Sequence, residues 1–233
     1  MEKLIDGVEY LIRSSSIGAS TASVQDLVVS NKTRKKNVTI PAYIDGVPVV
    51  GILQDAFQDA AWIEEITLPS TLQAIGAGAF DNCKKLKKVR IDGCDMEVDI
   101  YRNAFSRCYA LEEIDMGDNC SIFLKGQGVF KDCTMLKSLP PILENIPQFT
   151  FLRCGLEEVI ILGNAHLGSD VFTNCNLKKI YCENLESVDG DWLPFKEIQI
   201  VSPQLTEVME NMAYYGYPIA VSTLPLCDNS LPF

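Results

Sequence analysis

The most regular hydrophobic feature of this chain is a phenylalanine that is followed three positions later by a cysteine. The pair occurs first as Phe80 and Cys83, and an earlier copy, Phe57 and Ala60, has alanine in the cysteine position. Successive phenylalanines lie 21 to 25 residues apart, at Phe57, Phe80, Phe105, Phe130, Phe151 and Phe172. A hydrophobic pattern with this period predicts a repeat protein, in which each unit buries its apolar side by stacking on the next.

Each phenylalanine leads into a short run in which apolar and polar residues alternate. The run reads "EEITLP" (64–69) after Phe57, and a last, degenerate unit reads "FKEIQIV" (195–201). Alternation predicts a half-buried strand, and stacking of the units places these strands in one parallel sheet at a spacing of about 4.8 Å. The side chains expected to point inward are Ile66, Leu68, Val89, Ile91, Ile114, Met116, Val159, Ile161, Ile180 and Cys182.

Segments on either side of the repeats are predicted to cover the two apolar ends that a stacked array leaves. At the start, "GVEYLIR" (7–13) and "VQDLVVS" (24–30) predict a β-hairpin. The chain is thereby divided into three regions: an N-terminal β cap (1–37), about seven repeats (38–201), and a C-terminal helical cap with a tail (202–233).

The C-terminal cap is predicted to begin with a helix. Ser202 is its expected N-cap and Pro203 its first residue, which are the positions that serine and proline favour. Helical spacing places four apolar side chains on the face toward the last coil: Leu205, Val208, Met209 and Met212. Gly216 is expected to end the helix, because glycine readily adopts the left-handed backbone found there.

Three stretches resemble BspA-like bacterial leucine-rich repeats, whose pattern is roughly I-x-x-x-A-F-x-x-C-x-x-L-x-x-I-x-I-P. They are "VTIPAYIDGVPVVGILQDAF" (38–57), "ITLPSTLQAIGAGAFDNCKKLKKV" (66–89) and "LKKIYCENLESV" (177–188). The resemblance covers about residues 38 to 201, and it weakens in the shortened fifth and sixth units and in the last one. It implies a right-handed α/β leucine-rich-repeat solenoid with a parallel sheet of short strands. It also implies a binding module, often placed on bacterial surfaces and in some members an adhesin.

The cysteines divide into one column and four others. Five recur in register and are predicted to be buried packing thiols, since free cysteine is among the most buried residue types: Cys83, Cys108, Cys133, Cys154 and Cys175. Off the column lie Cys94, Cys120, Cys182 and Cys227. A bridge between Cys94 and Cys120 on adjacent coils is one alternative, and free thiols are the other.

Nine cysteines without a C-x-x-C motif favour a reducing compartment or an anaerobe over an oxidised scaffold, and they do not predict a zinc site.

Composition narrows the possible partners. The formal net charge is −11 and the pI about 4.6, which argues against nucleic acid and anionic lipid. No apolar run approaches the roughly 20 residues of a membrane span. The N-terminal sequence "MEKLIDGVEYLIRSSS" lacks the apolar stretch of a signal peptide. The resemblance suggests a surface or secreted protein, whereas this chain, if full length, is expected in the cytoplasm.

No catalytic residue, metal or cofactor is predicted. A Ser–His or Cys–His nucleophile requires the single histidine, His166. This residue lies in "GNAHLGSD", which reads as a turn between coils without a nucleophile motif.

Two outward columns of the predicted sheet carry charges whose sign alternates from coil to coil. They lie seven and eight places after phenylalanine in the full-length units. The first reads Glu64, Lys87, Glu112, Lys137, Glu157, Lys178, Lys196, and the second reads Glu65, Lys88, Glu113, Ser138, Glu158, Lys179, Glu197. Like charges on laterally paired residues repel. These lysines and glutamates are therefore predicted to pair with one another.

A further outward column becomes apolar toward the later coils and is the candidate contact surface. It reads Thr67, Arg90, Asp115, Pro140, Ile160, Tyr181 and Gln199. Pro140, Ile160 and Tyr181 are predicted to contact a partner, with Glu158 and Lys179 as the charged rim. The alternative, weighed equally, is that a cap or a loop covers them.

The sequence therefore favours a monomeric, non-enzymatic module that recognises a protein or glycan through its sheet face. A structural spacer or accessory domain of a longer surface protein is the second hypothesis. Thiol-based redox activity of an off-column cysteine is the third.

Overall fold

The repeats form a parallel-sheet solenoid of about seven turns with one helix near its C-terminus. This computed structural model describes residues 35–222 except 92, 94–96, 118–119 and 191–197, together with the backbone of 2–5, 8–12 and 24–29. In these residues the elements are β1 (Glu2–Ile5), β2 (Val8–Ile12), β3 (Val24–Val29), β4 (Asn37–Thr39), β5 (Tyr43–Ile44), β6 (Val47–Pro48), β7 (Gly51–Ile52), β8 (Glu65–Leu68), β9 (Ala74–Ile75), β10 (Lys88–Ile91), β11 (Glu97–Tyr101), β12 (Glu113–Asp115), β13 (Ser121–Lys125), β14 (Ile142–Leu143), β15 (Glu158–Leu167), β16 (Lys179–Val188), β17 (Gln199–Ser202), α1 (Glu207–Tyr214) and β18 (Ile219–Val221).

Most coils contribute to two parallel sheets, although the sequence predicted one. The first sheet has the order β12-β10-β8-β4 and contains the alternating runs of the first three units. The second sheet has the order β18-β17-β16-β15-β14-β13-β11-β9-β7. Its first strands are only two residues long, so they show no alternation from which to predict them. The long strands β15 and β16 continue through a register shift between Ile161 and Asn164. Each of them therefore contributes both the alternating run of its coil and the segment that follows this run to one sheet.

All ten side chains that were expected to point inward are buried, which confirms the predicted strand register. The phenylalanine column lies in the centre of the coil, and each of its six rings is at most 1% exposed. Neighbouring rings stack with centroids 5.1 to 5.8 Å apart and planes within 2° to 9° of parallel. Ring pairs at this distance contribute about 0.5–1.5 kcal/mol beyond their buried area.

Backbone hydrogen bonds at the phenylalanine turn fix one coil against the next. The N–H of Phe80 donates to the carbonyl of Ala104 at 2.7 Å, and the N–H of Phe105 donates to that of Val129 at 3.0 Å. Within its own coil, the Phe80 carbonyl accepts from the N–H of Cys83 at 3.1 Å. The turn therefore closes on itself and stacks on its neighbour through the same residue.

The column thiols add a second donor to these carbonyls. The Cys108 thiol donates to the Phe80 carbonyl at 3.1 Å, and the Cys133 thiol donates to the Phe105 carbonyl at 3.1 Å. Cys83 makes the corresponding bond to Phe57 at 3.0 Å. A cysteine in this column thus fills the core and links two coils, which explains why it recurs in register.

A left-handed backbone conformation flanks every phenylalanine of the column, two residues before it and two residues after it. These residues have φ between +53° and +68°: Asp55, Asp59, Gly78, Asn82, Asn103, Arg107, Gly128, Asp132, Phe149, Arg153, Asp170 and Asn174. Nine of the twelve are glycine, asparagine or aspartate, the residues that tolerate this region best. At Gly78 space is limiting as well, because an added Cβ would meet the Asp55 carboxylate. The turn chemistry is thus a second periodic signal, which the hydrophobic pattern alone does not reveal.

The two arginines among these residues are held by aspartates of the preceding coil. Arg107 makes a bidentate pair with Asp81, with Nε to Oδ1 at 3.0 Å, and Arg153 makes one with Asp132, with one terminal nitrogen to Oδ2 at 2.9 Å. Both aspartates are 8% exposed. Fork-shaped pairing of this kind fixes the arginine in one geometry. It therefore supports the left-handed conformation at two positions where the residue type does not favour it.

At the N-terminus, β2 and β3 pair antiparallel, as the predicted hairpin requires. The strand β1, which the sequence did not indicate, pairs with β2 and makes this a three-stranded sheet. β3 lies against β7, the first strand of the second sheet. The boundaries assigned to the three regions remain predictions.

The predicted start of the C-terminal helix is wrong by about one turn. α1 begins at Glu207, and its N-cap is Thr206, whose hydroxyl accepts from the N–H of Met209 at 3.3 Å. Ser202 instead ends β17, and its hydroxyl donates to the carbonyl of Glu183 at 3.2 Å. Because the helix starts later, Leu205 precedes it and is 49% exposed, whereas Met209 and Met212 are buried as expected. Gly216, with φ +87°, follows the helix as predicted.

Six cysteines of the described residues are free and buried, including all five of the column. Cys120 is disulfide-bonded, so of the two alternatives left open for this residue the bridge holds and the free thiol does not. The remaining cysteines, Cys94 and Cys227, lie outside the described residues. Whether Cys94 is the partner therefore stays a prediction.

Phe105→Ala is expected to lower the free energy of unfolding by about 3–5 kcal/mol, the usual range for removing a buried phenylalanine. The change leaves a cavity and interrupts the stack between Phe80 and Phe130. Urea unfolding followed by circular dichroism measures the loss. The matched control is Tyr109→Ala in the same turn, where the ring is 40% exposed and a small change is expected. Equal effects of the two changes would contradict the central role of the stack.

Stability is expected to fall as the pH rises above about 9, the ordinary thiol pKa. Burial raises the pKa of Cys83 to about 12 and that of Cys175 to about 11, and it raises the pKa of Cys108 and Cys133 as well. Because the folded state binds the thiol protons more tightly than the unfolded state, this binding contributes fully to stability at any pH below the thiol pKa of the unfolded chain. The contribution is lost as the pH rises from that pKa toward the thiol pKa values of the folded chain. Thermal unfolding without oxygen between pH 7 and 11 tests this, and a midpoint that does not fall would contradict it.

Rapid reaction of Cys108 or Cys133 with a thiol reagent in the folded state would contradict the burial of these two thiols.

Candidate functional site

Ile160 and Tyr181 are lateral neighbours in the paired strands β15 and β16, as the sequence predicted. Their flanking residues Val159, Ile161, Ile180 and Cys182 are buried. Ile160 and Tyr181 are half-buried and therefore lie on the outer side of the sheet. The sequence predicted Gln199 of the next strand as the neighbour of Tyr181. In the structure Tyr181 pairs with Val201 instead.

Pro140 was predicted on the outer side but is buried. Ile142 pairs with Ile161, so the position beside Ile160 belongs to Pro141, one residue later than assumed. A shift of one residue exchanges the two sides of a strand, because successive side chains point to opposite sides. The fourth coil thus presents Pro141, which is half-buried, instead of Pro140.

The outer surface at these coils is apolar over a larger area than the sequence indicated. Register pairs Phe123 with Leu143 and Leu143 with Leu162, which forms a second row beside Pro141, Ile160 and Tyr181. All six side chains are half-buried. We call this set the outer apolar patch: Phe123, Pro141, Leu143, Ile160, Leu162 and Tyr181. The row from Phe123 was missed because Phe123 and Leu143 lie on β13 and β14, beyond the alternating runs of their units.

Two lysines cover the aromatic rings at opposite ends of the outer apolar patch. Lys125 Nζ lies 4.3 Å from the centroid of the Phe123 ring, and Lys179 Nζ lies 5.2 Å from that of the Tyr181 ring. Lys179 also donates a hydrogen bond to the Tyr181 hydroxyl at 3.2 Å, which raises the pKa of Lys179. Glu158 is the register partner of Lys179. The predicted rim residues therefore border the patch, and cation–π contacts hold its aromatic ends.

In the described residues no group of three or more histidine, cysteine or acidic side chains is placed to hold a metal ion. A shallow depression of about 410 Å³ is lined by Thr134, Met135, Lys137, Gly155 and Glu157. It lies where the fifth coil is shortened, and it shares no residue with the outer apolar patch.

His166 lies in β15 and not in a turn between coils as predicted, and two polar residues that the sequence did not connect with it face its ring. His166 Nδ1 lies 2.5 Å from the Ser187 hydroxyl, and Nε2 lies 3.2 Å from Asp189 Oδ2. Asp189 and Ser187 both come from the next coil, since His166 and Ser187 are register partners in β15 and β16. Ser187 follows His166 by 21 residues, which equals the period of these coils. This spacing is the signal that could have identified the cluster of His166, Ser187 and Asp189 from the sequence.

The alternating charge columns are present, and two of their predicted junctions form salt bridges in the described residues. Lys88 Nζ lies 2.6 Å from Glu113 Oε1, and Lys178 Nζ lies 2.6 Å from Glu157 Oε2. The first column also extends one coil further back, where Lys36 pairs with Glu64 at 2.8 Å and lowers the pKa of Glu64. Lys196 and Glu197 lie outside the described residues. The pairing β16 with β17 nevertheless places Gln199 beside Lys179, where Glu197 was predicted.

Comparisons with known proteins agree with this architecture. The family model for the BspA-type leucine-rich repeat region matches residues 50–189 in six copies. A leucine-rich cell surface protein of Faecalibacterium prausnitzii A2-165 has a similar structure, with a TM-score of 0.64 and 19% identity over 87% of this chain and 54% of that one. The leucine-rich repeat protein of T. pallidum is similar with a TM-score of 0.54 and 20% identity, over 96% of this chain and 100% of that one.

These likenesses are informative about the fold alone, given the low identities. The chain spans about half the length of the Faecalibacterium protein. No curated protein matches it. In the described part of the chain, no helix combines the length and the hydropathy needed to cross a membrane.

Lys88→Glu is expected to lower the melting temperature at low ionic strength. The new carboxylate would lie between Glu65 and Glu113, its register partners on either side, and would replace the salt bridge to Glu113 by repulsion. Added salt screens exposed charges, so the difference from the wild type should shrink at high salt. Adding Glu113→Lys should restore stability only in part, because Glu65 still faces the new glutamate. An unchanged melting temperature at low salt would show that the columns do not interact.

Proposed function

The chain belongs to the BspA-type leucine-rich repeat family, and from this premise we propose that it is a non-enzymatic recognition module that binds a protein partner through the outer apolar patch. The observation that carries the proposal is the contiguity of six apolar side chains on the outer side of the sheets over four neighbouring strands. Contiguous exposed apolar surface on a soluble domain is typical of interaction sites. Tyr181 at its end is of a residue type that is enriched at binding hot spots.

A protein partner fits this patch better than a glycan does. Four of its six side chains are aliphatic or proline, and these offer no hydrogen bond to a sugar hydroxyl. The two aromatic rings, which could stack on a sugar, are each covered by a lysine, Lys125 or Lys179. Apolar side chains of a protein require no such donors, and the ammonium groups at the edge can meet carboxylates of a partner.

The second function, a spacer or accessory domain of a longer surface protein, is supported by one comparison. The Faecalibacterium relative is described as a cell surface protein, and this chain matches 54% of its length. Placement at a cell surface is part of our proposal.

Redox activity is disfavoured for the off-column thiol Cys182, because burial raises its pKa to about 12 and so keeps it protonated.

Ile160→Asp and Tyr181→Asp are expected to weaken partner binding at least about tenfold, since a charge introduced into an apolar contact must be desolvated. The partner is first captured from the organism's natural surroundings with immobilised wild-type protein. Its affinity for each purified variant is then measured by calorimetry, beside the melting curve of the variant. The matched control is Tyr109→Asp, an exposed aromatic residue outside the patch, which should bind like the wild type.

Two outcomes would count against the proposed site. Wild-type affinity in both patch variants would place the contact elsewhere on the surface. Lost affinity together with a collapsed melting temperature would mean that Ile160 and Tyr181 stabilise the fold and do not contact the partner.

A further inference from the structure

The cluster of His166, Ser187 and Asp189 on β15, β16 and the residue after β16 has no role in the proposed recognition function. We propose that Ser187 is an activated nucleophile that accepts acyl groups from small activated esters, with His166 as its general base. Asp189 acts as the positioning residue that orients the imidazole. The inference does not depend on the outer apolar patch, because it rests on different residues and a different chemistry.

For a neutral imidazole and an ionised carboxylate, the donors and acceptors of the three side chains set the direction of the hydrogen bonds. An ionised carboxylate only accepts, so the contact of 3.2 Å between Asp189 Oδ2 and His166 Nε2 requires the imidazole proton on Nε2. In the neutral ring Nδ1 then carries the lone pair. The Ser187 hydroxyl, 2.5 Å from Nδ1, must therefore be the donor. The hydroxyl proton thus points directly at a base, which is the geometry that general-base activation requires.

The cluster is open to a small reagent. The side chains of His166 and Asp189 are 40% and 59% exposed, and Ser187 is half-buried. The His166 backbone is held by the Asn145 side chain, whose Oδ1 accepts from the His166 N–H at 2.9 Å. The Asp189 N–H donates to the Leu167 carbonyl at 2.8 Å. Base and carboxylate are therefore presented on paired backbone at the surface of the second sheet.

The reaction step is acyl transfer to the hydroxyl. The Ser187 oxygen attacks the carbonyl carbon of an aryl ester, and its proton passes to His166 Nδ1. The new bond between the Ser187 oxygen and the carbonyl carbon forms as the bond from that carbon to the aryl oxygen breaks. The aryl oxide leaves and takes up the proton from His166 or from water. No oxidant, reductant or further reagent is needed. Compared with the hydrolase triad, the two ring nitrogens exchange roles, because there the hydroxyl faces Nε2 and the carboxylate faces Nδ1.

Acetylation by p-nitrophenyl acetate, located by mass spectrometry of the digested protein, tests the proposal. We expect Ser187 to acquire an acetyl group about a hundredfold faster than Ser138, an exposed serine without a histidine neighbour, since a positioned base contributes at least about that factor. His166→Gln should reduce the rate at Ser187 to that of Ser138, and Ser187→Ala should remove the modification. Equal rates at Ser187 and Ser138 in the wild type, or an unchanged rate in His166→Gln, would overturn the proposal.

The tautomer of the histidine supplies a second, independent readout. His166 is the only histidine, so its two ring nitrogens give unambiguous signals in a long-range proton–nitrogen spectrum of labelled protein. We expect the Nε2–H form in the wild type and a mixture of both forms in Asp189→Asn, together with slower acetylation of Ser187. Because Asp189 is largely exposed, this variant keeps the fold and the test remains decisive if His166→Gln does not fold. A predominant Nδ1–H form in the wild type would overturn the proposal, since Ser187 would then be the acceptor.

Discussion

In-register stacking of one phenylalanine per coil is the constraint on which the rest of this structure depends. The backbone of Phe80 forms hydrogen bonds with the N–H of Cys83 in its own coil and, in the next coil, with the Cys108 thiol and the Ala104 carbonyl. Its ring stacks between the rings of Phe57 and Phe105. A slip of one residue at this turn would break all of these contacts at once. The chain therefore varies in length only away from the turn. The fifth and sixth units, for example, lose one position between the cysteine and the next leucine.

The features that the sequence predicts correctly are those that recur in register in most coils. The phenylalanine and cysteine columns and the inward strand residues were all identified because burial selects the same residue type in each coil. The second sheet was not identified, because strands as short as Gly51–Ile52 have no alternation. The start of α1 was misplaced because the Ser202 hydroxyl is used by the Glu183 carbonyl, a long-range contact that local propensity cannot contain. Thr206 is the N-cap instead.

The candidate site could be predicted only in part, since its residues occupy outward positions that stacking leaves free to vary. Ile160 and Tyr181 were found because their coils differ by a constant offset. Pro140 was assigned wrongly because the outward position of the fourth coil lies eleven places after Phe130, where the count assumed ten. Phe123, Leu143 and the partners of His166 were missed because they lie beyond the alternating runs, and only the pairing of strands from neighbouring coils places them side by side. Function on a repeat protein is thus distributed over segments that are distant in sequence.

The identical use of each phenylalanine turn also affects how such a chain can change over evolutionary time. Because each turn meets its two neighbours through the same backbone atoms and the same ring face, gene duplication or loss of a whole unit joins two surfaces that already match. Length can therefore change in steps of one coil without a new core having to be selected. A surface that spans four strands, such as the one around Ile160, can in this way be moved farther from either end of the solenoid while its own residues stay unchanged.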